Sequence, residues 1–227
     1  MAHAAPPQDD AAHAKNTSAM AVNHGLVLHA AARYDLTVWL MTLGRERAFR
    51  EKILQLARLQ PGEAVLDVGC GTGTLAIAAK RRVGPAGAVY GIDASPEMLA
   101  RADRKARKAG FKIALKQAAA QELPFPDARF DAVLTTLVLH HLPRRAREQC
   151  AREIARVLKP GGRVLAVDFS APARKRRGFL SRFHRHGHVT LGDIVTLLGG
   201  AGLDIVESGA AGFRDLQFAV AMAPHGA

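Results

Sequence analysis

Cysteine and aromatic side chains are scarce in this chain, and long apolar runs are missing. Its two cysteines, Cys70 and Cys150, offer neither a disulfide framework nor the spacing of a metal site. No stretch is apolar for long enough to cross a bilayer, and Met1 to Met20 has neither the basic start nor the apolar centre of a secretory leader. A disordered leader over 1–20 and a soluble, cytoplasmic protein are therefore expected. One tryptophan and two tyrosines, without the aromatic and glycine signatures of an RNA-binding module, disfavour nucleic acid as a partner. Acids are outnumbered too: 32 Lys and Arg against 20 Asp and Glu leave a net charge of +12. The cations are spread over 101–108, 144–147 and 174–177. They read as solvated faces, with contact to an anionic lipid surface as the other option. His184, His186 and His188 alternate, but Arg182 and Arg185 among them would repel a divalent cation, so no metal is expected.

What is present suits one α/β domain. The 227 residues, 48% of them hydrophobic, are enough for a sizeable core. Alternating patterns predict strands near 64–68, 87–92, 112–117, 130–136, 162–168, 203–208 and 215–222. Helices are predicted near 73–82, 95–109, 144–157 and 190–200, giving a mainly parallel sheet with helices on both faces. Upstream, Asn23–Leu43 and Arg45–Leu59 have helical periodicity, broken at Gly44 and Pro61-Gly62, and read as a helical cap over 21–60 that the sheet itself does not need. Residues 61–227 would form the main domain.

The most informative stretch is Leu66-Asp67-Val68-Gly69-Cys70-Gly71-Thr72-Gly73. It puts a carboxylate at the mouth of an apolar strand, directly before a glycine turn, with Thr72 or Thr74 as the N-cap of the next helix. Glycine permits positive φ and lets a ligand approach the backbone, so Gly69, Gly71 and Gly73 can form a floor under a ligand. The spacing is not the dinucleotide fingerprint, because Thr74 stands where its last glycine belongs, and no G-K-[ST] closes a phosphate loop. Asp67 would repel a pyrophosphate and attract an ammonium. Twenty-six positions on, a second strand ends at Asp93, well placed to accept from two ribose hydroxyls. Ser95-Pro96-Glu97-Met98 then opens a helix with a cap and an N1 proline. An ammonium acceptor and a ribose acceptor across a glycine floor describe S-adenosylmethionine. Thr135 and Thr136 end a further strand, and one crevice at the carboxyl ends would gather them with Asp67 and Asp93.

These motifs resemble the class I S-adenosylmethionine-dependent methyltransferases. The resemblance rests on 65–73, 91–99, Leu123-Pro124-Phe125-Pro126-Asp127-Ala128-Arg129-Phe130-Asp131, Leu139-His140-His141-Leu142-Pro143 and Val157-Leu158-Lys159-Pro160-Gly161-Gly162, in that order. Within the family the chain looks most like the branch holding ubiquinone and menaquinone C-methyltransferases. The resemblance implies a Rossmann-like, seven-stranded, mainly parallel α/β sheet with an N-terminal helical cap. It implies S-adenosylmethionine as cofactor and a small-molecule, quinone-like acceptor. A phospholipid headgroup acceptor, or a non-catalytic nucleoside-binding or partner-binding protein of this fold, are the alternatives.

The site residues implied are Asp67 for the amino group, the turn Gly69, Cys70, Gly71 and Gly73, Asp93 for the ribose, Ala94 beside it as a cofactor contact, and Met98 against adenine. Cys70 is there as a small packing side chain. Relatives usually carry an Asp for the adenine amino group where Ala119 stands, so adenine would be read by Gln121 or by backbone atoms around Ala120, unless Gln121 is a solvated loop residue. Tyr34 lies over the methionine part in the family-like reading, or packs helix to sheet in the plainer one. A base is needed only where the acceptor loses a proton; His140, His141 and Tyr34 are candidates, with His140 preferred.

Overall fold

The computed structural model describes residues 46–170, 189–213 and 216–225. The expected leader over 1–20, the helix over 23–43, Tyr34 and the histidines at 184, 186 and 188 lie outside the described residues.

Seven strands form one sheet in the order β3-β2-β1-β4-β5-β7-β6. They are β1 (Ala64–Val68), β2 (Ala88–Asp93), β3 (Ala114–Gln117), β4 (Phe130–Thr136), β5 (Leu158–Phe169), β6 (Asp204–Ala210) and β7 (Leu216–Met222). β1 to β5 pair in parallel, and β7 runs antiparallel between β5 and β6. The helices are α1 (Glu46–Ala57), α2 (Thr74–Val83), α3 (Pro96–Lys108), α4 (Arg144–Val157) and α5 (Leu191–Gly200), with a 3-10 turn at Leu139–His141. The chain leaves β1 towards β2 on one side and finds β4 on the other, so the order reverses beside β1. A crevice at the carboxyl ends of the strands belongs at such a switch point.

Strand alternation sends Leu66, Val68, Val133, Val164 and Ala166 to one face, under Cys150, Ala151 and Ile154 of α4 and Ile194 and Leu198 of α5. Val65, Val89, Leu134, Leu165 and Val167 go to the other, under Ala76, Ala79 and Val83 of α2. This second core also takes Phe49, Ile53, Leu54, Leu56 and Ala57 from α1. The helix expected over 45–59 is thus present, and it belongs to the sheet's own core instead of standing apart. Arg163 of β5 fixes its end: the guanidinium donates to the carbonyls of Ala57 (2.6 Å) and Arg58 (2.8 Å), and pairs with both oxygens of Glu63 at 2.8 Å. The last carbonyls of a helix lack partners of their own, and here a half-buried cation supplies them.

Candidate active site

The turn after β1 is held by backbone bonds: Cys70 N–H donates to the Ile92 carbonyl (2.8 Å) and Gly73 N–H to that of Cys70 (2.9 Å). Gly69, Gly71 and Gly73 have φ of 70°, 52° and 74°, a region closed to most side chains. At two of them the missing Cβ serves the protein's own packing. At Gly69 it would collide with the Val138 side chain, and at Gly73 it would lie 2.7 Å from Cβ and 3.1 Å from Cα of Ala102 on α3. The expected threonine cap of α2 is not found: Gly73 is the N-cap, in left-handed conformation and without a side-chain bond. Lys105 Nζ claims both hydroxyls instead, at 2.8 Å from Thr72 and 3.1 Å from Thr74. Cys70 is buried and packs where Gly91 leaves room; burial first, then Asp67 and Asp93, push its thiol well above its ordinary pKa.

Asp67 and Asp93 lie on the same face of neighbouring strands. Asp67 follows Val65 by two residues and Asp93 follows Val89 by four, and both valines belong to the α1–α2 core. Asp67 is 2% exposed, and its Oδ2 is buried without a hydrogen-bond partner among the described residues. Burial above all, with the charge of Asp93 second, pushes its pKa up to about 8. Burial also raises that of Asp93, against the pull of backbone N–H groups. Gly71 N–H donates to its Oδ2 and Ser95 N–H to its Oδ1, each at 2.9 Å, so this carboxylate joins the glycine turn to the start of α3. A carboxylate has about four acceptor sites, so the backbone N–H groups of Gly71, Ser95 and Ala94 leave Asp93 room to accept from a ligand.

Strand alternation corrects one expectation. Thr136 shares the face of Asp67, whereas Thr135, paired between Val68 and Ala166, faces the α4–α5 core. Both hydroxyls are buried without partners among the described residues. Ser95 caps α3 as expected, accepting from Met98 N–H (3.3 Å), and Met98 is buried. Ala94 is exposed, with its carbonyl bonded to Gln117 Nε2 (3.1 Å). The 118–122 loop leaves β3 beside β2, since Ala118 N–H donates to the Asp93 carbonyl (3.2 Å). Ala119, Ala120 and Gln121 on it are half-buried.

His140 stands at the same end of the sheet. Leu137 turns the chain after β4 with φ of 61°, Val138 covers Gly69, and the 3-10 turn brings His140 to the last residues of β5. Its Nδ1 lies 2.7 Å from Oδ1 of Asp168, which is fully buried. Sequence reading missed Asp168, although its signal was the one that marked Asp67 and Asp93: an acid closing an apolar strand.

A methyltransferase-domain family model matches residues 65–162, the part that carries both acids, the glycine turn and His140. A demethylmenaquinone methyltransferase of Thermus thermophilus is 37% identical over 154 residues, 68% of this chain and 69% of its own length. The chain belongs to the class I S-adenosylmethionine-dependent methyltransferases. Another family member, a demethylmenaquinone methyltransferase of Lactobacillus johnsonii, is 38% identical over 151 residues, 66% of this chain and 61% of that one. The match thus spans about three fifths of that relative's length. A SAM-dependent methyltransferase from Aquifex aeolicus shares the fold, with a TM-score of 0.69 at 24% identity over 85% of this chain and 96% of that one.

S-adenosylmethionine is the cofactor that membership in this family implies, and the residues fit it. A buried carboxylate oxygen with no partner among the described residues is unfavourable unless a cation or donor meets it, and the ligand's ammonium is such a group. The remaining acceptor capacity of Asp93 suits a ribose hydroxyl.

Proposed function

We propose that this methyltransferase transfers a methyl group from S-adenosylmethionine to a small-molecule acceptor of the quinol type. The buried Oδ2 of Asp67, without a partner among the described residues and on the same face as Asp93, carries the reading. The curated relatives, named for quinone biosynthesis, support the acceptor class. When bound, the cofactor supplies a methyl group made electrophilic by its sulfonium charge, so the protein contributes mainly alignment and a water-poor site. Asp67 holds the ammonium, and Asp93, beside Ala94, holds the ribose hydroxyls. The turn through Gly69, Cys70, Gly71 and Gly73 passes under the chain between them. Met98 packs against adenine, whose edge is read by Gln121 and the backbone at Ala120. Thr136 offers its hydroxyl on the Asp67 side. His140 takes the proton that a hydroxyl-bearing acceptor must lose. Tyr34 remains a proposed partner of the methionine part.

Two free, buried cysteines are in keeping with a reducing cytoplasm. Among the described residues no helix is long and apolar enough to cross a membrane. The six Lys and Arg between 174 and 185 support contact with anionic lipid, where a quinone-like acceptor would reside. Activity that rises on anionic vesicles and falls with salt would bear this out.

Calorimetric titration with S-adenosylhomocysteine tests the cofactor assignment. Asp93→Ala should weaken binding roughly tenfold to a hundredfold, the loss of about 1.5–3 kcal/mol of charge-assisted hydrogen bonding. Unchanged affinity would remove the ribose role. A labelled methyl donor offered to metabolite extracts, with mass spectrometry of the product, identifies the acceptor.

A further inference from the structure

We propose that Asp168 is the positioning residue for proton removal: it holds the His140 ring with its proton on Nδ1 and leaves Nε2 as the proton acceptor. The inference rests on the reading of His140 as the base and adds the residue that makes it one.

Asp168 is fully buried at the end of β5, and three nitrogens converge on its two oxygens. His140 backbone N–H donates to Oδ2 at 3.1 Å, Phe169 backbone N–H to Oδ1 at 2.8 Å, and the His140 ring nitrogen Nδ1 lies 2.7 Å from Oδ1. The two backbone groups can only donate, so the carboxyl is best satisfied as a carboxylate accepting a third N–H from the ring. That fixes the tautomer, because a neutral imidazole has one proton and Nδ1 holds it. Nε2 then presents a lone pair, and it has no hydrogen-bond partner among the described residues. The ring is also held in place: the Phe169 ring meets it edge-on at 5.0 Å and the His141 ring lies tilted at 3.8 Å. Its side chain is still 19% exposed, so one edge is open.

The placement joins this pair to the cofactor turn. Val138, two residues before His140, fills the space beside Gly69, and Leu137 N–H bonds the Val167 carbonyl (2.8 Å), one residue before Asp168. The chemistry is a single proton transfer. As the acceptor's O–H bond breaks, its electron pair stays on the acceptor and the proton goes to Nε2. The ring becomes an imidazolium, whose charge the Asp168 carboxylate offsets through Nδ1–H, and the proton later leaves to water. An aspartate in this position acts on orientation and tautomer without itself being protonated.

Nitrogen-resolved NMR of the ligand-free protein reads the tautomer of the neutral ring directly, with His140→Gln used to assign the signal. The expected spectrum shows Nδ1 protonated and Nε2 bare; a protonated Nε2 overturns the proposal, with no need for a variant at 168. In Asp168→Ala, kcat with the identified acceptor should fall at least about a hundredfold, the low end of general-base contributions. KM and S-adenosylhomocysteine affinity should stay within about threefold. A variant that loses affinity while keeping kcat would make Asp168 merely structural. The underlying function fails separately: it falls if the parent does not bind S-adenosylhomocysteine, whatever the tautomer.

Discussion

Asp67 is unfavourable to the free protein and useful only once a cation arrives, so its two effects can be separated. Its pKa rises from 3.8 when unfolded to about 8 when folded, mainly through burial. The folded state therefore holds a proton that the unfolded chain has lost across that window, and stability from this group is full below pH 4 and drains away as pH rises through 8. Asp67→Asn keeps the shape and removes the charge. Its melting temperature should match the parent's near pH 4 and exceed it at pH 8.5, while S-adenosylhomocysteine affinity falls at least tenfold. Binding to the parent at pH 7 should also release close to one proton per ligand, seen by calorimetry in buffers of different ionisation enthalpy, and Asp67→Asn should release almost none. The acid was legible because a carboxylate interrupting an apolar strand is an anomaly on the page. Asp168 carried the same mark, but its meaning depends on His140, 28 positions away, and period-2 reasoning cannot supply a partner across a crossover.

Elements whose boundaries are set by local chemistry matched their sequence pattern. β1, β4 and α4 begin and end where apolar alternation, Pro143 and the helical period place them. β5 starts earlier than expected, at Leu158. Lys159-Pro160-Gly161-Gly162 has the composition of a turn, yet Leu158 already pairs with Phe130, and a register shift between Phe130 and Ala132 absorbs the irregularity. The missed cap of α2 has a tertiary cause: the start of α2 abuts Ala102 of α3, and Lys105 draws both threonine hydroxyls away. Gly73→Ala should accordingly fail on two counts, a Cβ 2.7 Å from that of Ala102 and a left-handed φ of 74°. Urea unfolding is expected to show a loss above about 1–3 kcal/mol, the range for a strained non-glycine residue. A change below that would mean α2 and α3 separate easily.

At the scale of the whole molecule, the largest difference from the sequence pattern is the role of α1. Periodicity identifies a helix but not the surface it covers, and a helix preceding the first strand looked dispensable. Its apolar side instead closes one of the two cores: Ile53 and Ala57 are fully buried, and Leu59 just beyond the helix is 1% exposed. Without them, the core that Val65, Leu134, Leu165 and Val220 share with α2 would lose part of its cover. Exposed apolar area on that scale is destabilising by roughly 25 cal/mol per Å². The Arg163–Glu63 pair would also lose the helix-end carbonyls that complete it. Ile53→Ala in the full chain should lower unfolding free energy by about 2–5 kcal/mol, the range for truncating a buried isoleucine. Removal of residues 1–60 should abolish both cooperative unfolding by circular dichroism and S-adenosylhomocysteine binding, because the strand that leads into the glycine turn contributes Val65 to the core that this helix closes. A shortened chain that still melts cooperatively and binds the ligand would show that α2 and α3 close that face on their own.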